Sequence, residues 1–220
     1  MNCTYFDIET GPLPDSELLA MIPAFDPSEV KLGNIKDPDK IAAKLKEREE
    51  SHFDDAREKA ALSPLTGHVI AIGCGLSLNN GVNETAIMCE SEPEALAEFW
   101  ELFEKLDTPF IGFNINTFDL PFMVKRSWKL GVSVPISIRS GRYFSNRFID
   151  LRDMWQMGDR QAKGSLDAIC RHFGVEGKNG HGKDFARLFE LDRETALDYL
   201  ANDLRMTRAV HERMTGIGAA

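Results

Sequence analysis

The chain has 220 residues, 43% of them apolar and 28% charged, which suits one full-sized domain with its own core. Twenty-six Lys and Arg against 35 Asp and Glu give a net charge of −9. That balance excludes a protein coating nucleic acid through a broad basic surface, but not a nucleic-acid enzyme built on carboxylates.

The first expected element is a short apolar strand, Thr4 to Ile8, that runs straight into acidic residues. Residues 12–66 then leave the pattern. They open on a Pro-rich turn (GPLP) and continue through PDKIAAKLKEREESHFDDAREKAAL, which favours helix. The apolar positions there (Ile41, Leu45, Phe53, Ala56) are sparse, so a charged helical insertion between the first two strands is expected. It reads either as a solvated excursion or as an arm over substrate or a second subunit.

His68 to Leu78 is a near-continuous β-branched and small run, as in a strand covered on both faces. The Asn79 to Gly81 turn signal makes Glu84 to Cys89 its antiparallel partner. Pro93 to Leu106 is helical, with Leu96, Phe99, Trp100 and Phe103 spaced three and four apart. Phe110 to Phe113 is a fourth strand, Leu120 to Leu130 a helix, and Arg147 to Leu151 a fifth strand. Ser165 caps a helix to Phe173, and Asp192 caps the last one, Arg193 to Met214. The alternation indicates a single α/β domain with a mixed sheet.

The four cysteines (Cys3, Cys74, Cys89, Cys170) stand far apart, with no CxxC pair and no Cys–His ligand spacing. A disulfide framework or zinc site is not expected, and a reducing, cytoplasmic setting is. No apolar run approaches the roughly 18 residues of a membrane span. MNCTYFDIET does not read as a signal peptide.

Three groups of carboxylates carry chemistry. Asp7 and Glu9 are two apart at a strand end, so both point to one face. By chance alone, acid-x-acid triplets arise about five or six times in such a composition, but this pair follows an apolar strand and precedes the Thr10-Gly11 turn. Asp203 falls on the mainly apolar side of the last helix, with Tyr199 one turn earlier. Alone it reads as a buried carboxylate with a partner. Asp119 follows Asn114-Ile-Asn-Thr-Phe118, and alone would cap the next helix. Together Asp7, Glu9, Asp119 and Asp203 form the hard-oxygen set that a two-metal phosphoryl-transfer site requires.

FDIET (Phe6 to Thr10), GFNINTFD (Gly112 to Asp119) and YLAND (Tyr199 to Asp203) resemble, in order, the three motifs of the DEDD superfamily of 3′→5′ exonucleases. Together with GSLDAICRHFGVEGK (Gly164 to Lys178), they are similar to the proofreading exonuclease domain of family B DNA polymerases and to its small stand-alone relatives. The resemblance implies a ribonuclease H-like fold, a mixed sheet flanked by helices. The histidine branch has His five residues before the last Asp; Asp198 stands there, so Tyr199 implies the tyrosine branch.

By that resemblance Asp7 would bridge two Mg²⁺ or Mn²⁺ ions. Glu9 and Asp203 would complete one site and Asp119 the other, while Tyr199 would orient the attacking water. Thr10, Leu13, Asn114 and Phe118 would contact the terminal nucleotide or line the strand's path. Residues 120–149 contain six Lys and Arg and no Asp or Glu, and Arg142 and Arg147 lie there beside Tyr143 and Phe144, as on single-strand binding surfaces. The Gly177 to Lys183 loop, with His181, is a further phosphate candidate; His211 reads as a packed or interface residue.

The expected activity is metal-dependent release of nucleotides from single-stranded or frayed 3′ ends of DNA, with a replication or repair protein as a possible partner. A ribonuclease or endonuclease on the same fold, and a non-catalytic nucleic-acid-binding subunit, are the alternatives.

Overall fold

The computed structural model describes residues 2–78, 83–138, 146–159, 161–177 and 185–216. It divides into two compact units, one of residues 1–10 and 69–220 and one of residues 11–68.

The larger unit is built on a five-stranded sheet of order β3-β2-β1-β4-β5. The strands are β1 (Cys3–Pro12), β2 (Gly67–Ser77), β3 (Asn83–Met88), β4 (Phe110–Gly112) and β5 (Phe148–Asp150). β2 and β3 form the expected antiparallel pair, Ile72 opposite Met88. β4 runs parallel to both β1 and β5, with Thr4 opposite Phe110 and Gly112 opposite Asp150. The sheet is therefore mixed. The Asn79 to Gly81 turn lies outside the described residues.

Period-two alternation along β1 sends its residues to two cores. Phe6 and Ile8 join Phe99, Trp100 and Phe103 of α3 (Glu92–Lys105) and Leu120, Phe122 and Met123 of α4 (Asp119–Leu130). The aromatic rings interlock, Phe103 stacking on Phe148 at 4.8 Å and Phe6 tilting on Phe99 at 5.2 Å. Each such fully buried side chain contributes about 1.5–3 kcal/mol. Cys3 and Tyr5 face the other way, towards Ile169 and Cys170 of α6 (Leu166–His172) and Leu204, Met206 and Val210 of α8 (Arg193–Thr215). Ser165 and Asp192 cap α6 and α8 as expected, accepting the N–H groups of Ala168 and Thr195.

Gly73 lets α8 approach the sheet closely. A Cβ there would lie 3.0 Å from Leu200 Cγ and 3.1 Å from Leu204 Cδ1, so a larger residue would push the helix off β2.

Two short helices of the larger unit were not expected, α5 (Leu151–Gln156) and α7 (Phe185–Leu191). Leu151, expected to end the fifth strand, instead starts α5 because Asp150 caps it, accepting the Arg152 N–H at 2.9 Å.

The smaller unit contains α1 (Asp15–Met21), a 3₁₀ turn at Pro27–Glu29 and α2 (Pro38–Ala60). Asp37 caps α2, with Pro38 in its first turn. The expected long charged helix is present; α1 was not expected. Exposed polar contacts tie the unit together: Arg57 to Asp15 at 2.8 Å, His52 to the Pro23 carbonyl at 2.8 Å and Lys44 to the Lys31 carbonyl at 2.8 Å. Such exposed pairs contribute little each. Among the described residues, no helix is long and apolar enough to cross a membrane.

Candidate metal centre

The alternation that puts Tyr5 on the α8 side of β1 puts Asp7 and Glu9 there too. α8, seated closely over Gly73, brings Asp203 to meet them. Asp7, Glu9 and Asp203 each offer a carboxylate oxygen, and these oxygens lie within 4.8 Å of one another. Oxygens bound to one divalent cation at roughly 2.0–2.6 Å can be no more than about 5 Å apart, so the spacing fits a single ion. Glu9 and Asp203 are buried and Asp7 half-buried. An all-oxygen donor set favours Mg²⁺, Mn²⁺ or Ca²⁺ over softer metals.

Asp119 is not one of the three that converge. It starts α4, buried, and its Oδ1 accepts the Ile8 N–H at 3.3 Å, between the two β1 carboxylates. It also shares a hydrogen bond with Asp7. Burial pushes its carboxyl up to about 7 and the nearby charge of Asp150 adds to this, against the backbone N–H of Ile8. Asp119 thus adjoins the cluster through Asp7.

The loop before Asp119 is fixed by a residue that the sequence reading passed over. Asp150, at the end of β5 and buried, accepts three backbone N–H groups: Asn114 at 2.8 Å and Arg152 at 2.9 Å on Oδ1, and Asn116 at 2.9 Å on Oδ2. Burial raises its pKa and these bonds oppose the rise. Asn114 adopts a left-handed φ of 67°, a conformation Asn tolerates better than most residues. Its side-chain oxygen accepts Thr117 Oγ1 at 2.6 Å and Arg152 Nη1 at 3.0 Å. Asn116 Nδ2 donates to Asp153 at 2.8 Å. The available signal was acid-x-x-acid directly after an apolar strand, Asp150 to Asp153, a cap pattern.

Tyr199 lies one turn before Asp203 on α8, buried, with the Phe185 ring of α7 at 6.2 Å from its own. Thr10 follows Glu9 on β1, half-buried. Phe118 is half-buried at the start of α4, its ring 5.5 Å from Phe122. Leu13 belongs to the smaller unit, where its N–H donates to Thr66 at 2.9 Å.

Arg147 corrects an expectation. It precedes Phe148, at the opposite end of β5 from Asp150, and its guanidinium donates to the Leu106 and Thr108 carbonyls at the end of α3. The group also lies 4.2 Å over the Phe103 ring. It braces the aromatic core away from the carboxylates, because charge alone does not say which end of a strand a residue occupies. Arg142, and His181 in its glycine-rich loop, lie outside the described residues. His211 is packed, its Nδ1 3.0 Å from the Tyr5 hydroxyl.

Among solved structures, the chain is similar to the family B DNA polymerase of the hyperthermophilic archaeon Pyrobaculum calidifontis. The TM-score is 0.63 at 17% identity, over 98% of this chain and 24% of that one. The chain thus spans about a quarter of that polymerase and has the α/β, ribonuclease H-like fold of a polymerase exonuclease domain. No curated protein matches the sequence. A family model described as "predicted 3′-5′ exonuclease related to the exonuclease domain of PolB" matches residues 65–218, which include Asp119, Tyr199 and Asp203 but not Asp7 or Glu9. The chain belongs to this family of predicted 3′–5′ exonucleases related to the exonuclease domain of PolB.

Proposed function

We propose that the protein is a metal-dependent 3′→5′ exonuclease that hydrolyses the terminal phosphodiester of DNA at single-stranded or frayed 3′ ends. The observation that carries this reading is the convergence of Asp7, Glu9 and Asp203 from a strand and a helix almost two hundred residues apart. Those three would hold one divalent ion, and Asp119 with Asp7 a second.

Bound Mg²⁺ or Mn²⁺ would supply Lewis-acid activation of water and neutralise charge on the phosphate. The chain's own residues do the rest. Tyr199, wedged by Phe185, holds the attacking water by its hydroxyl. Asp150 fixes the loop that carries Phe118 and Asp119, so that the terminal nucleotide meets a rigid wall. Thr10 and Phe118 contact that nucleotide.

The test is a 3′-labelled single-stranded oligonucleotide incubated with Mg²⁺ or Mn²⁺, beside a matched RNA strand. Mononucleotide release from the DNA is expected, falling on the order of 10³-fold or more in Asp7→Ala. DNA left intact with both metals would overturn the reading, and faster cleavage of the RNA would reassign the substrate.

A further inference from the structure

α4 begins beside the carboxylates and carries a second feature along its outer face. Lys125, Trp128 and Lys129 are all exposed, Trp128 to 62%. At 100° per residue, Pro121, Lys125, Trp128 and Lys129 share one face about 100° wide. That face descends from Phe118 at the start of the helix.

Among the described residues, Trp128 is the one aromatic side chain among the large apolar groups left exposed. The neighbouring Arg126, by contrast, is buried against Glu92, so the helix separates its cations into one that braces the core and two that face outward. Neither Lys125 nor Lys129 forms an ion pair among the described residues. The sequence from Leu120 to Ile149 supplies no acid to neutralise them. An indole face flanked by two uncommitted ammonium groups is complementary to a single strand, whose bases stack on aromatic rings and whose phosphates seek cations.

We propose that this strip on α4 is a track for single-stranded nucleic acid, holding the part of the substrate that lies 5′ of the bond cleaved at the carboxylates. The placement rests on the proposed nuclease function; the binding chemistry does not. Trp128 is nine residues beyond Asp119, about 14 Å along the helix axis. At ~3.4 Å per stacked nucleotide, that corresponds to roughly four nucleotides. Trp128 stacks on a base there, and Lys125 and Lys129 hold the phosphates on either side.

The experiment uses the full chain with Asp203→Asn, so that no hydrolysis is needed. Binding of fluorescently labelled oligothymidylates of two, four, eight and twelve nucleotides is followed by anisotropy across a salt series. Affinity should rise steeply once the strand exceeds about four nucleotides. Trp128→Ala should weaken binding of the longer strands by about 5- to 150-fold, and Trp128→Phe should restore part of it. Lys125→Ala with Lys129→Ala should lower the salt slope by about 1.4. Because all three side chains are exposed, these variants retain the fold.

Affinities for the longer strands that are insensitive to Trp128→Ala and to the double lysine change would overturn the track and leave the strip to a protein partner. A wild-type chain that binds through Trp128 but hydrolyses nothing would instead sink the nuclease reading and leave the track standing.

Discussion

Glu92, half-buried at the start of α3, and Asp203, buried midway along α8, are both carboxylates withdrawn from solvent, and the protein treats them in opposite ways. Glu92 accepts Arg126 Nε at 2.8 Å and Nη2 at 2.7 Å, and the Val69 N–H at 2.8 Å. Every lone pair that matters is used, and α3, α4 and the start of β2 are stapled together. Asp203 is instead brought within 4.8 Å of two further carboxylates, an arrangement that raises the energy of the ionised cluster until a cation joins it. A carboxylate given a guanidinium serves the fold. In the proposed function, one given like charges serves chemistry, and the fold bears its cost.

The contrast is sharpest if one carboxylate is neutralised in each place. Asp203→Asn should reduce hydrolysis on the order of 10³-fold or more without lowering the thermal midpoint in chelator. It should also remove the stabilisation that Mn²⁺ gives the wild type, about 2.7 kcal/mol at a hundred times its dissociation constant. Glu92→Gln should do the reverse, costing about 3–5 kcal/mol in urea unfolding by leaving Arg126 buried without its counter-charge. Pairing it with Arg126→Met should recover most of that loss. If Glu92→Gln were silent and Asp203→Asn unfolded the chain, the distinction would collapse.

Asp150 lies between these extremes, hydrogen-bonded like Glu92 but serving the loop that leads into the centre. Asp150→Asn substitutes a donor where N–H groups must be accepted, so a loss of about 1–3 kcal/mol is expected. Amide exchange should quicken at Asn114 and Asn116 first, measured by NMR. Uniform loosening of the sheet would make Asp150 merely another staple.

The smallest effect concerns His211. Burial lowers its pKa, against the opposing charge of Glu212. Below about 6.5 the unfolded chain takes up a proton that the folded chain resists, so stability falls as pH drops through the interval between 6.5 and the lower folded value. Above that interval the contribution is constant. The slope is at most about 1.4 kcal/mol per pH unit, and His211→Gln should flatten it in chemical unfolding between pH 5 and 8.

Much of this was legible from the chain alone, for identifiable reasons. Long elements declare themselves: α3 through Leu96, Phe99 and Phe103, and α8 through its cap Asp192 and Leu200 and Leu204. α1, α5 and α7 span six or seven residues each, too few turns for periodicity to rise above composition. Asp7, Glu9 and Asp203 could be grouped because strand and helix periods fix the faces they occupy. Asp150 escaped because its partners are backbone amides thirty-odd residues away, and no pattern of side chains encodes which amides a carboxylate will find. Trp128 escaped for the converse reason: its spacing is that of any amphipathic helix, and only its exposure distinguishes it.

The length of chain between β1 and its neighbours has a consequence in time. Thr4 pairs with Phe110, and Tyr5 meets His211 across a separation of 206 residues. A ribosome adding about 5–20 residues per second needs roughly 10–40 s between Asp7 and Asp203. For about the first half of that interval β1 lacks its parallel partner β4, and throughout it Asp7 and Glu9 lack Asp203. Closing so long a loop also makes the contact a late one in refolding. The centre is therefore assembled last, and a chain interrupted before the final helix carries the first strand without a site.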